Sequence, residues 1–347
     1  MIPARRPVAQ PIRWQQLWRE AVTNALELLD LLGLSAHAES LLADGDAGFP
    51  TRVPRGFIAR MRHGDPRDPL LLQVLPRAAE ALDVPGFSDD AVGDLAARST
   101  SGVLRKYHGR ALLIATGSCA VNCRYCFRRH FPYAEETAAA GHWQAALTSI
   151  AADTSISEVI LSGGDPLSLG TAKLAELGAG LARIPHVRRL RIHSRLPIVL
   201  PERIDEEFCS WLTDLPLQKV MVVHANHGNE IDAAVSAACA RLRECGASLL
   251  NQSVLLRGVN DNAPVLARLS ERLFAAGVLP YYLHLLDRVR GAAHFEVDAA
   301  CGRRLIEELR ACLPGYLVPR LVREIAGASS KIPLETAPMM APDGRIE

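Results

Sequence analysis

The chain has 347 residues, of which 49% are hydrophobic and 22% are charged, and its formal net charge is +1. So small a net charge favours neither nucleic acid nor an anionic membrane as a partner, and no apolar run approaches the ~20 residues that a membrane-spanning helix needs. Eight cysteines, three of them close together, indicate reduced thiols and a metal centre rather than a disulfide framework. The N-terminal stretch is polar and lacks an apolar signal core, so we expect a cytoplasmic protein.

Residues 1–104 are predicted to form an N-terminal helical region. Apolar residues recur at nearly helical spacing between Trp14 and Leu34. A second short helix is predicted from Pro76 to Asp83, with the proline in a tolerated first-turn position. No motif in this region indicates chemistry. We therefore expect it to pack against the catalytic part of the chain or against a partner.

From about residue 105, short apolar strands alternate with amphipathic segments of helical length, which is typical of βα units around a parallel sheet. The predicted strands are 110–116, 157–162, 188–194, 218–224, 249–255 and 280–286. The predicted helices lie near 141–152, 171–184, 205–213, 230–245, 263–276 and 298–312. The fold class is therefore α/β. Six such units fit a partial (β/α)6 barrel over 105–315, followed by a C-terminal segment, 316–347.

The strongest chemical signal is a group of three cysteines directly after the first predicted strand. Cys119, Cys123 and Cys126 have the spacing C-x3-C-x2-C. Three thiolates can bind three irons of a [4Fe–4S] cluster, which leaves the fourth iron open to a small molecule. The alternatives are a zinc site with His130 or His108 as its fourth ligand, or three ordinary buried thiols.

Functional candidates also follow, end or, in the case of Gln252, lie within the other five predicted strands. In folds of this kind the active site gathers at the carboxyl ends of the strands. The residues at these positions are Gly163, Gly164, Asp165, His193, Arg195, His224, Gln252 and Asp287. Any one of them could be an ordinary structural group, but together they predict an active site at this edge of the sheet.

With these motifs the sequence resembles the radical S-adenosylmethionine (SAM) enzymes of the lysine 2,3-aminomutase family over roughly 105–335. The matching segments are Cys119–Arg129, Ser162–Leu167, Arg191–Arg195, Asn251–Leu256, Gly258–Asp261, Pro280–Tyr282 and His294–Phe295. The branch that it resembles most is the short bacterial one that supplies β-lysine for modifying translation elongation factor P. The segments typical of that branch are Asn122–Tyr133, Ala292–Phe295 and Ser330–Leu334.

The resemblance implies three cofactors: a [4Fe–4S] cluster, SAM and pyridoxal 5′-phosphate (PLP). It implies an isomerase that converts L-lysine to β-lysine, in which a SAM-derived 5′-deoxyadenosyl radical takes a hydrogen atom from the β-carbon and the nitrogen migrates from the α- to the β-carbon. The cluster ligands would be Cys119, Cys123 and Cys126. The loop beside the methionine part of SAM would be Gly163, Gly164 and Asp165, with the Asp165 carboxylate accepting from the SAM ammonium.

The resemblance assigns PLP to Lys331, which follows the small-residue run 327–330. Small residues let a loop pass close to a cofactor, and a desolvated lysine can lose its proton and attack an aldehyde. The phosphate of PLP requires cations and amide donors. The candidates are Lys106, Arg110, Arg195 and Gln252.

Substrate selection is expected to follow charge. Arg128 matches the arginine of the family that binds the substrate carboxylate, for which a guanidinium fork is suited. Asp287 matches one of two acidic residues that bind the ε-ammonium of lysine. Glu324 corresponds to the second, where the family has aspartate. The residues by themselves equally allow a surface pair between Glu324 and a cation such as Arg323.

Two other functions stay open on the sequence. One is a 2,3-aminomutase that acts on arginine, glutamate or another amino acid, although two acidic pocket residues disfavour glutamate. The other is a non-catalytic iron–sulfur or zinc protein that senses redox state. We expect an electron donor such as flavodoxin or ferredoxin and a functional link to the ligase that modifies elongation factor P. Oligomerisation is compatible with the sequence.

Overall fold

The computed structural model describes residues 13–42, 48–100, 102–135 and 143–334. Its N-terminal part contains five short helices. They are α1 (Trp14–Arg19), α2 (Ala25–Leu31), α3 (Ala38–Leu41), α4 (Arg55–Ile58) and α5 (Pro69–Leu72). The helical periodicity between Trp14 and Leu34 thus covers two helices, because Val22 pairs with Val53 in an isolated β-bridge and Asn24 caps the start of α2.

The helix predicted from Pro76 to Asp83 is shorter than expected. Only Ala78–Ala81 is helical, and it forms a 3-10 turn. The carboxylate of Glu80 in this turn accepts a hydrogen bond from the backbone nitrogen of Arg77. The same carboxylate binds two arginines of the cysteine loop, so this turn serves a tertiary contact.

Seven strands run parallel in chain order and form the central sheet. Two short antiparallel strands, β1 (Arg98–Thr100) and β2 (Val103–Leu104), precede them at one edge. The parallel strands are β3 (Arg110–Thr116), β4 (Glu158–Gly163), β5 (Arg189–Ser194), β6 (Gln218–Val223), β7 (Ala247–Val254), β8 (Leu279–His284) and β9 (Arg320–Arg323). At the other edge β10 (Ile332–Pro333) pairs antiparallel with β9. Within the described ranges β1 and β10 do not pair, so the sheet is an open, partial barrel.

Helices connect the parallel strands. They are α6 (Gln144–Ala151), α7 (Thr171–Ala182), α8 (Leu196–Val199), α9 (Glu206–Asp214), α10 (Ala233–Glu244), α11 (Ala263–Ala275) and α12 (Ala299–Cys312). None of the helices in the described part of the chain has the length and apolarity needed to cross a membrane. The six predicted strands and six predicted long helices are confirmed to within three residues at each end, although residues 141 and 142 of the first predicted helix lie outside the described ranges.

The parallel strand β9 was not predicted. It has four residues and directly follows Pro319, so it carries little of the apolar run by which the other strands are recognised. Its parallel partner is β8, and residue Glu324 follows its carboxyl end. β9 therefore brings Glu324 to the edge of the sheet where the active site was expected.

The N-terminal helices and the sheet share one hydrophobic core. Leu28 of α2, Phe57 of α4 and Leu70 of α5 are fully buried in the same cluster as Leu113 of β3 and Leu161 of β4. Each side chain of this size contributes ~1.5–3 kcal/mol when it is fully buried. The described part of the N-terminal region is therefore held on the sheet by burial of apolar surface.

Candidate active site

A cavity of about 550 Å³ opens where the carboxyl ends of the parallel strands meet. Ligand cavities in proteins commonly measure ~300–1,000 Å³, so a cofactor and a small substrate fit such a volume. Every site residue predicted from the sequence lines this cavity. They are Cys119, Cys123, Cys126, Gly163, Gly164, Asp165, Lys106, Arg110, Arg195, Gln252, Arg128, Asp287, Glu324 and Lys331.

The three cysteines lie on the loop that leaves β3, and none of them forms a disulfide. The backbone nitrogen of Cys126 donates to the carbonyl of Cys123 at 3.0 Å, which turns the loop back on itself. Burial, followed by the charge of the neighbouring thiols, raises the pKa of Cys119 well above its usual value and that of Cys126 to about 11. Such thiols ionise readily only when a metal neutralises them. This donor set therefore fits an iron–sulfur cluster.

The zinc alternative lacks its fourth ligand. Neither His130 nor His108 lines the cavity, and the ring of His130 instead faces the carbonyl of Arg290 at 3.2 Å. Within the described ranges, no three His, Cys, Asp or Glu side chains converge on a point where one ion could bind. Three thiolates of a four-iron cluster bind three separate irons, so they need no such single point.

The cysteine loop is fastened to the N-terminal region by Glu80. Its carboxylate accepts from Arg124 Nε at 2.8 Å and Arg124 Nη2 at 2.5 Å, and from Arg129 Nη2 at 2.8 Å. Both guanidinium groups also lie over the ring of Phe49, at 5.0 and 4.7 Å from its centroid. Burial opposes the charge of Glu80, but the two arginines hold its pKa below the usual range. This buried group keeps the loop in place from outside the barrel.

The loop after β4 lies directly against the cysteine loop. The backbone nitrogen of Gly164 donates to the Thr116 carbonyl at 2.7 Å, and that of Asp165 donates to the Ser118 carbonyl at 2.8 Å. A Cβ atom on Gly164 would stand 2.5 Å from the Ser118 oxygen, and one on Gly163 would stand 2.5 Å from the Thr116 oxygen. Glycine is required here because the two backbones approach too closely for a side chain.

The Asp165 carboxylate has a different role from the one expected. Its Oδ1 accepts from Ser194 Oγ at 2.7 Å and from the Leu167 nitrogen at 3.0 Å, while Oδ2 accepts from the nitrogens of Arg195 and Leu196 at 2.7 and 3.1 Å. A carboxylate has roughly four acceptor positions, so no capacity is left for the SAM ammonium. Asp165 instead ties the loop after β4 to the end of β5.

Arg195 also departs from its expected place. Its Nη1 donates to the Cys123 sulfur at 2.7 Å, and its Nη2 donates to Gln73 Oε1 at 2.7 Å and pairs with Glu230 Oε2 at 3.1 Å. The guanidinium is thus engaged with the cysteine loop and a buried carboxylate. This geometry corrects the expectation that Arg195 binds the PLP phosphate, because its cationic head already has these partners.

Lys331 begins a chain of alternating charges across the cavity. Its ammonium contacts Glu324 Oε2, and Lys106 Nζ lies 2.9 Å from Glu324 Oε1. The same Lys106 nitrogen lies 2.6 Å from Asp94 Oδ1, and Asp94 Oδ2 accepts from Arg128 Nε at 2.6 Å. Lys106 is held between two carboxylates, so it is not a free donor for the PLP phosphate either.

Arg128 is buried, and the chain of charges holds only part of its guanidinium. Nε is bound to Asp94, and Nη1 donates to Ser162 Oγ at 2.9 Å. Neither bond uses Nη2. The ring of Phe127 lies 4.8 Å from the guanidinium carbon and covers one of its faces. This arrangement fixes the orientation of the fork before a carboxylate arrives.

The two acidic residues differ in ionisation. Burial, and then the charge of Glu324, raises the pKa of Asp287 to about 7, and its Oδ1 is buried without a hydrogen-bond partner. Burial also opposes the charge of Glu324, but Lys331 and Lys106 lower its pKa to about 2. The partners of Glu324 lie in the cavity, so the alternative that pairs it with Arg323 at the surface is wrong.

Uncharged polar side chains, three histidines and Gln252, form another part of the cavity wall. The rings of His193 and His224 meet edge to face at 5.7 Å, and burial lowers the pKa of both. Gln252 Nε2 lies 2.6 Å from the ring nitrogen Nε2 of His284. The Nε2 atoms of His193 and His224 and Oε1 of Gln252 are buried without partners. These orphaned polar atoms fit a polar ligand such as PLP.

Arg110 is the phosphate candidate that keeps its charge available. Among the described residues no carboxylate lies within ion-pair distance of its guanidinium, which is stacked over the ring of Tyr107 at 5.2 Å. The stacked rings of Tyr281 and Tyr282 line the same cavity. Of the four predicted phosphate ligands, Arg110 and Gln252 remain without charged partners.

Several residues of the site were missed in the sequence. Asp94, Glu80 and Gln73 come from the N-terminal region and contact Arg128, the cysteine loop and Arg195 respectively. None of them follows a predicted strand or belongs to a recognisable motif, so the sequence contains no signal for them. Glu230 is a further case without a signal. His284, in contrast, lies in the predicted strand 280–286 and ends β8, so a polar residue at a strand end was the signal that could have identified it.

Curated relatives match almost the whole chain. The L-lysine 2,3-aminomutase of Escherichia coli (strain K12) is 52% identical over 324 residues, which cover 93% of this chain and 94% of that protein. The enzyme of the same name from Haemophilus influenzae is 45% identical over 331 residues, 95% and 98% of the two chains. That from Clostridium subterminale is 33% identical over 324 residues, 93% and 77% of the two chains.

No protein-family profile matches the chain. Among solved structures, a radical SAM methyltransferase from Sphaerobacter thermophilus is similar with a TM-score of 0.44 and 19% identity, over 64% of this chain and 68% of that one. That likeness is too partial to support an argument. The identities to the three curated enzymes extend over most of this chain, and every site residue predicted from the sequence lines one cavity. The chain belongs to the L-lysine 2,3-aminomutase family of radical SAM enzymes.

Proposed function

We propose that the protein is an isomerase that interconverts L-lysine and β-lysine with a [4Fe–4S] cluster, SAM and PLP. The observation that carries the proposal is the charge pattern of the cavity. Arg128, oriented by Asp94, suits a carboxylate, and the unpartnered Oδ1 of Asp287 suits an ammonium group. A single amino acid with a cationic side chain satisfies both.

When bound, the cofactors supply a carbon-centred radical that can take a hydrogen atom and a conjugated ring that can carry nitrogen between neighbouring carbons. The thiols of Cys119, Cys123 and Cys126 are the proposed cluster ligands. Gly163 and Gly164 let the loop after β4 lie directly against the cysteine loop, and this loop is the proposed neighbour of the methionine part of SAM. Arg110 and Gln252 are the proposed phosphate ligands.

Lys331 is the proposed attachment site of PLP. It lines the cavity on the segment between β9 and β10, where its ammonium contacts Glu324. Nucleophilic attack requires that Lys331 Nζ lose a proton, and Glu324 with a pKa of about 2 is a poor base. Asp287, with a pKa of about 7, is the carboxyl in this part of the cavity that can take a proton near neutral pH.

The acidic residues also select the length of the substrate. Each charge-assisted contact is worth roughly 1.5–3 kcal/mol, so a substrate that misses one acid loses about ten- to a hundredfold in transition-state binding. Ornithine is one methylene shorter than lysine, and norleucine has no ammonium at all. We therefore expect lysine to exceed both as a substrate. Two carboxylates in the cavity also disfavour glutamate.

The experiment that tests the proposal is a substrate panel. Anaerobically reconstituted protein is incubated with SAM, PLP, a reductant and, in turn, lysine, arginine, ornithine, norleucine and glutamate, and the products are separated on a chiral column. We expect β-lysine to form fastest. Faster conversion of glutamate or arginine contradicts the assignment of substrate. Failure to cleave SAM with any amino acid favours the redox-sensing alternative.

The proposed partners are an electron donor such as flavodoxin or ferredoxin and, indirectly, the ligase that attaches β-lysine to elongation factor P. The link to elongation factor P rests on the similarity of Asn122–Tyr133, Ala292–Phe295 and Ser330–Leu334 to that bacterial branch. Deletion of the gene should leave elongation factor P without the mass increment of a β-lysyl group. A factor that stays fully modified in the deletion strain contradicts this link.

A further inference from the structure

We propose that Arg195 is a positioning residue that sets the reduction potential of the cluster by donating a charge-assisted hydrogen bond to the sulfur of Cys123. The inference rests on one part of the proposed function, namely that Cys123 is a ligand of the cluster. It goes beyond that function because it concerns how easily the cluster accepts an electron.

The geometry fixes Arg195 at this sulfur. Nη1 donates to Cys123 Sγ at 2.7 Å, while Nη2 is held by Gln73 Oε1 at 2.7 Å and Glu230 Oε2 at 3.1 Å. The backbone nitrogen of the same residue donates to Asp165 Oδ2 at 2.7 Å. With both main chain and side chain anchored, the guanidinium has little freedom to leave the sulfur.

Glu230, the carboxylate that pairs with Arg195, is itself held in place by hydrogen bonds. Glu230 is fully buried, and its Oε1 accepts from the backbone nitrogens of Asn226 and His227 at 2.9 and 3.0 Å and from Gln73 Nε2 at 3.1 Å. Its other oxygen, Oε2, faces Arg195. The carboxylate therefore contacts the guanidinium through Nη2, while Nη1 contacts the sulfur.

The guanidinium side of this contact is shielded from water. The rings of Phe57 and Tyr125 lie 5.5 and 5.6 Å from the guanidinium carbon, and only 5% of Arg195 is exposed. A hydrogen bond in such surroundings is electrostatically stronger than one in water. Among the described residues, no other charged side chain donates to the sulfur of a proposed cluster ligand. The effect is therefore concentrated on one of the three thiolates.

The expected direction follows from charge. The potential of an iron–sulfur cluster depends on its net charge, on hydrogen bonds to its sulfurs and on solvent exposure. Reduction adds one negative charge, and a cation that donates to a ligating sulfur stabilises the reduced form. Arg195 therefore raises the potential. Glu230 is negative and more distant from the sulfur, so it offsets part of this effect.

The test is a potentiometric titration of the reconstituted cluster, monitored by electron paramagnetic resonance without lysine. We expect Arg195→Gln to make reduction at least about tenfold less favourable, a shift of about 59 mV to more negative potential for a one-electron couple. Arg195→Lys keeps the charge but loses the fork, so its potential should lie between those of the Gln variant and the unaltered protein. Glu230→Gln should shift the potential in the opposite direction.

Arg203→Gln is the matched control. Arg203 is also fully buried, but it donates to the carbonyls of Leu167 and Leu169, and among the described hydrogen bonds it has none to Cys119, Cys123 or Cys126. Its variant should retain the unaltered potential. Iron content and melting temperature are measured for every variant, so that a misfolded protein is recognised.

Two outcomes overturn the proposal. One is an Arg195→Gln protein with full iron content and an unchanged potential. The other concerns the case in which the Arg195→Gln protein does not retain the cluster. The proposal is then tested by Arg195→Lys and Glu230→Gln, and it is contradicted if the reduction potential is unchanged in both. A failure of the proposed function looks different, because the unaltered protein would then form no β-lysine while these potentials still shifted.

Discussion

Asp287 and Glu324 line the same cavity, yet their neighbours separate their ionisation. Glu324 contacts two ammonium groups and has a pKa of about 2, whereas Asp287 is buried without a partner for Oδ1 and has a pKa of about 7. At neutral pH Glu324 is therefore fully charged and Asp287 is poised between its two forms. Binding of a substrate ammonium requires the charged form of Asp287.

This difference predicts an acid limb in the pH dependence of catalysis. Asp287 is protonated below a pH of about 7, so kcat/KM for lysine should fall as the pH is lowered through that value, by about tenfold per unit. The charged groups that act on this carboxyl are Glu324, Lys331, Lys106 and Asp94. Asp287→Asn should lower kcat/KM about ten- to a hundredfold at pH 8 and flatten the limb. An unchanged limb in that variant would assign it to another group.

A second prediction at this scale concerns Lys331. Borohydride reduction of the PLP-loaded protein, followed by peptide mapping, should place the pyridoxyl label on Lys331, because this lysine lines the cavity with Arg110 and Gln252. The other lysines of the chain are Lys106, Lys173 and Lys219. Lys331→Ala should remove the label, and Lys173→Ala is the control that should keep it. A label on any of the other three lysines would show that the assignment is misplaced.

At the scale of elements, the site depends on two loops that touch. The turn after β4 can lie on the cysteine loop only because Gly163 and Gly164 have no side chains. Asp165 then ties the same turn to the end of β5. The strand ends thus act as one unit, in which a displacement of one loop displaces the thiols of another.

This contact predicts that alanine is harmful at Gly164 and harmless at Gly170. Gly164→Ala places a Cβ atom 2.5 Å from the Ser118 oxygen, so the backbone of the cysteine loop must shift. We expect a loss of about 1–3 kcal/mol in stability and a lower iron content after reconstitution. Gly170→Ala is the control, since no atom lies within 4 Å of its added Cβ. Equal iron content in the two variants would contradict the role given to this contact.

At the scale of the whole molecule, the N-terminal region takes part in the site. Beyond sharing the hydrophobic core, it provides Glu80 for the cysteine loop, Gln73 for Arg195 and Asp94 for Arg128. The backbone nitrogen of Arg124 also donates to the Gln73 carbonyl at 2.9 Å. The region was expected to pack against the catalytic part of the chain or against a partner, and it also contributes side chains that hold the cysteine loop, Arg195 and Arg128.

Glu80→Gln tests this connection. It removes the carboxylate that pairs with the buried guanidinium groups of Arg124 and Arg129, and breaking a buried pair in this way costs about 3–5 kcal/mol. We expect a lower free energy of unfolding by chemical denaturation and slower uptake of iron. Glu39→Gln, at an exposed position of the same region, should change stability by less than about 0.5 kcal/mol. A Glu80→Gln protein as stable as the Glu39 variant would show that the connection is weak.

The sequence by itself determined the α/β class and six of the seven parallel strands found in the described ranges, because apolar periodicity is a local property. It indicated the family through a resemblance carried by the cysteine run and six other segments. It also identified residues that line one cavity, since polar groups at the ends of parallel strands must meet. The tertiary structure decided the partners of those residues. Arg195 binds Cys123, Lys106 lies between two carboxylates, and Asp94 orients Arg128. These contacts join segments far apart in the chain, and local sequence patterns contain no information about pairs that only folding brings together.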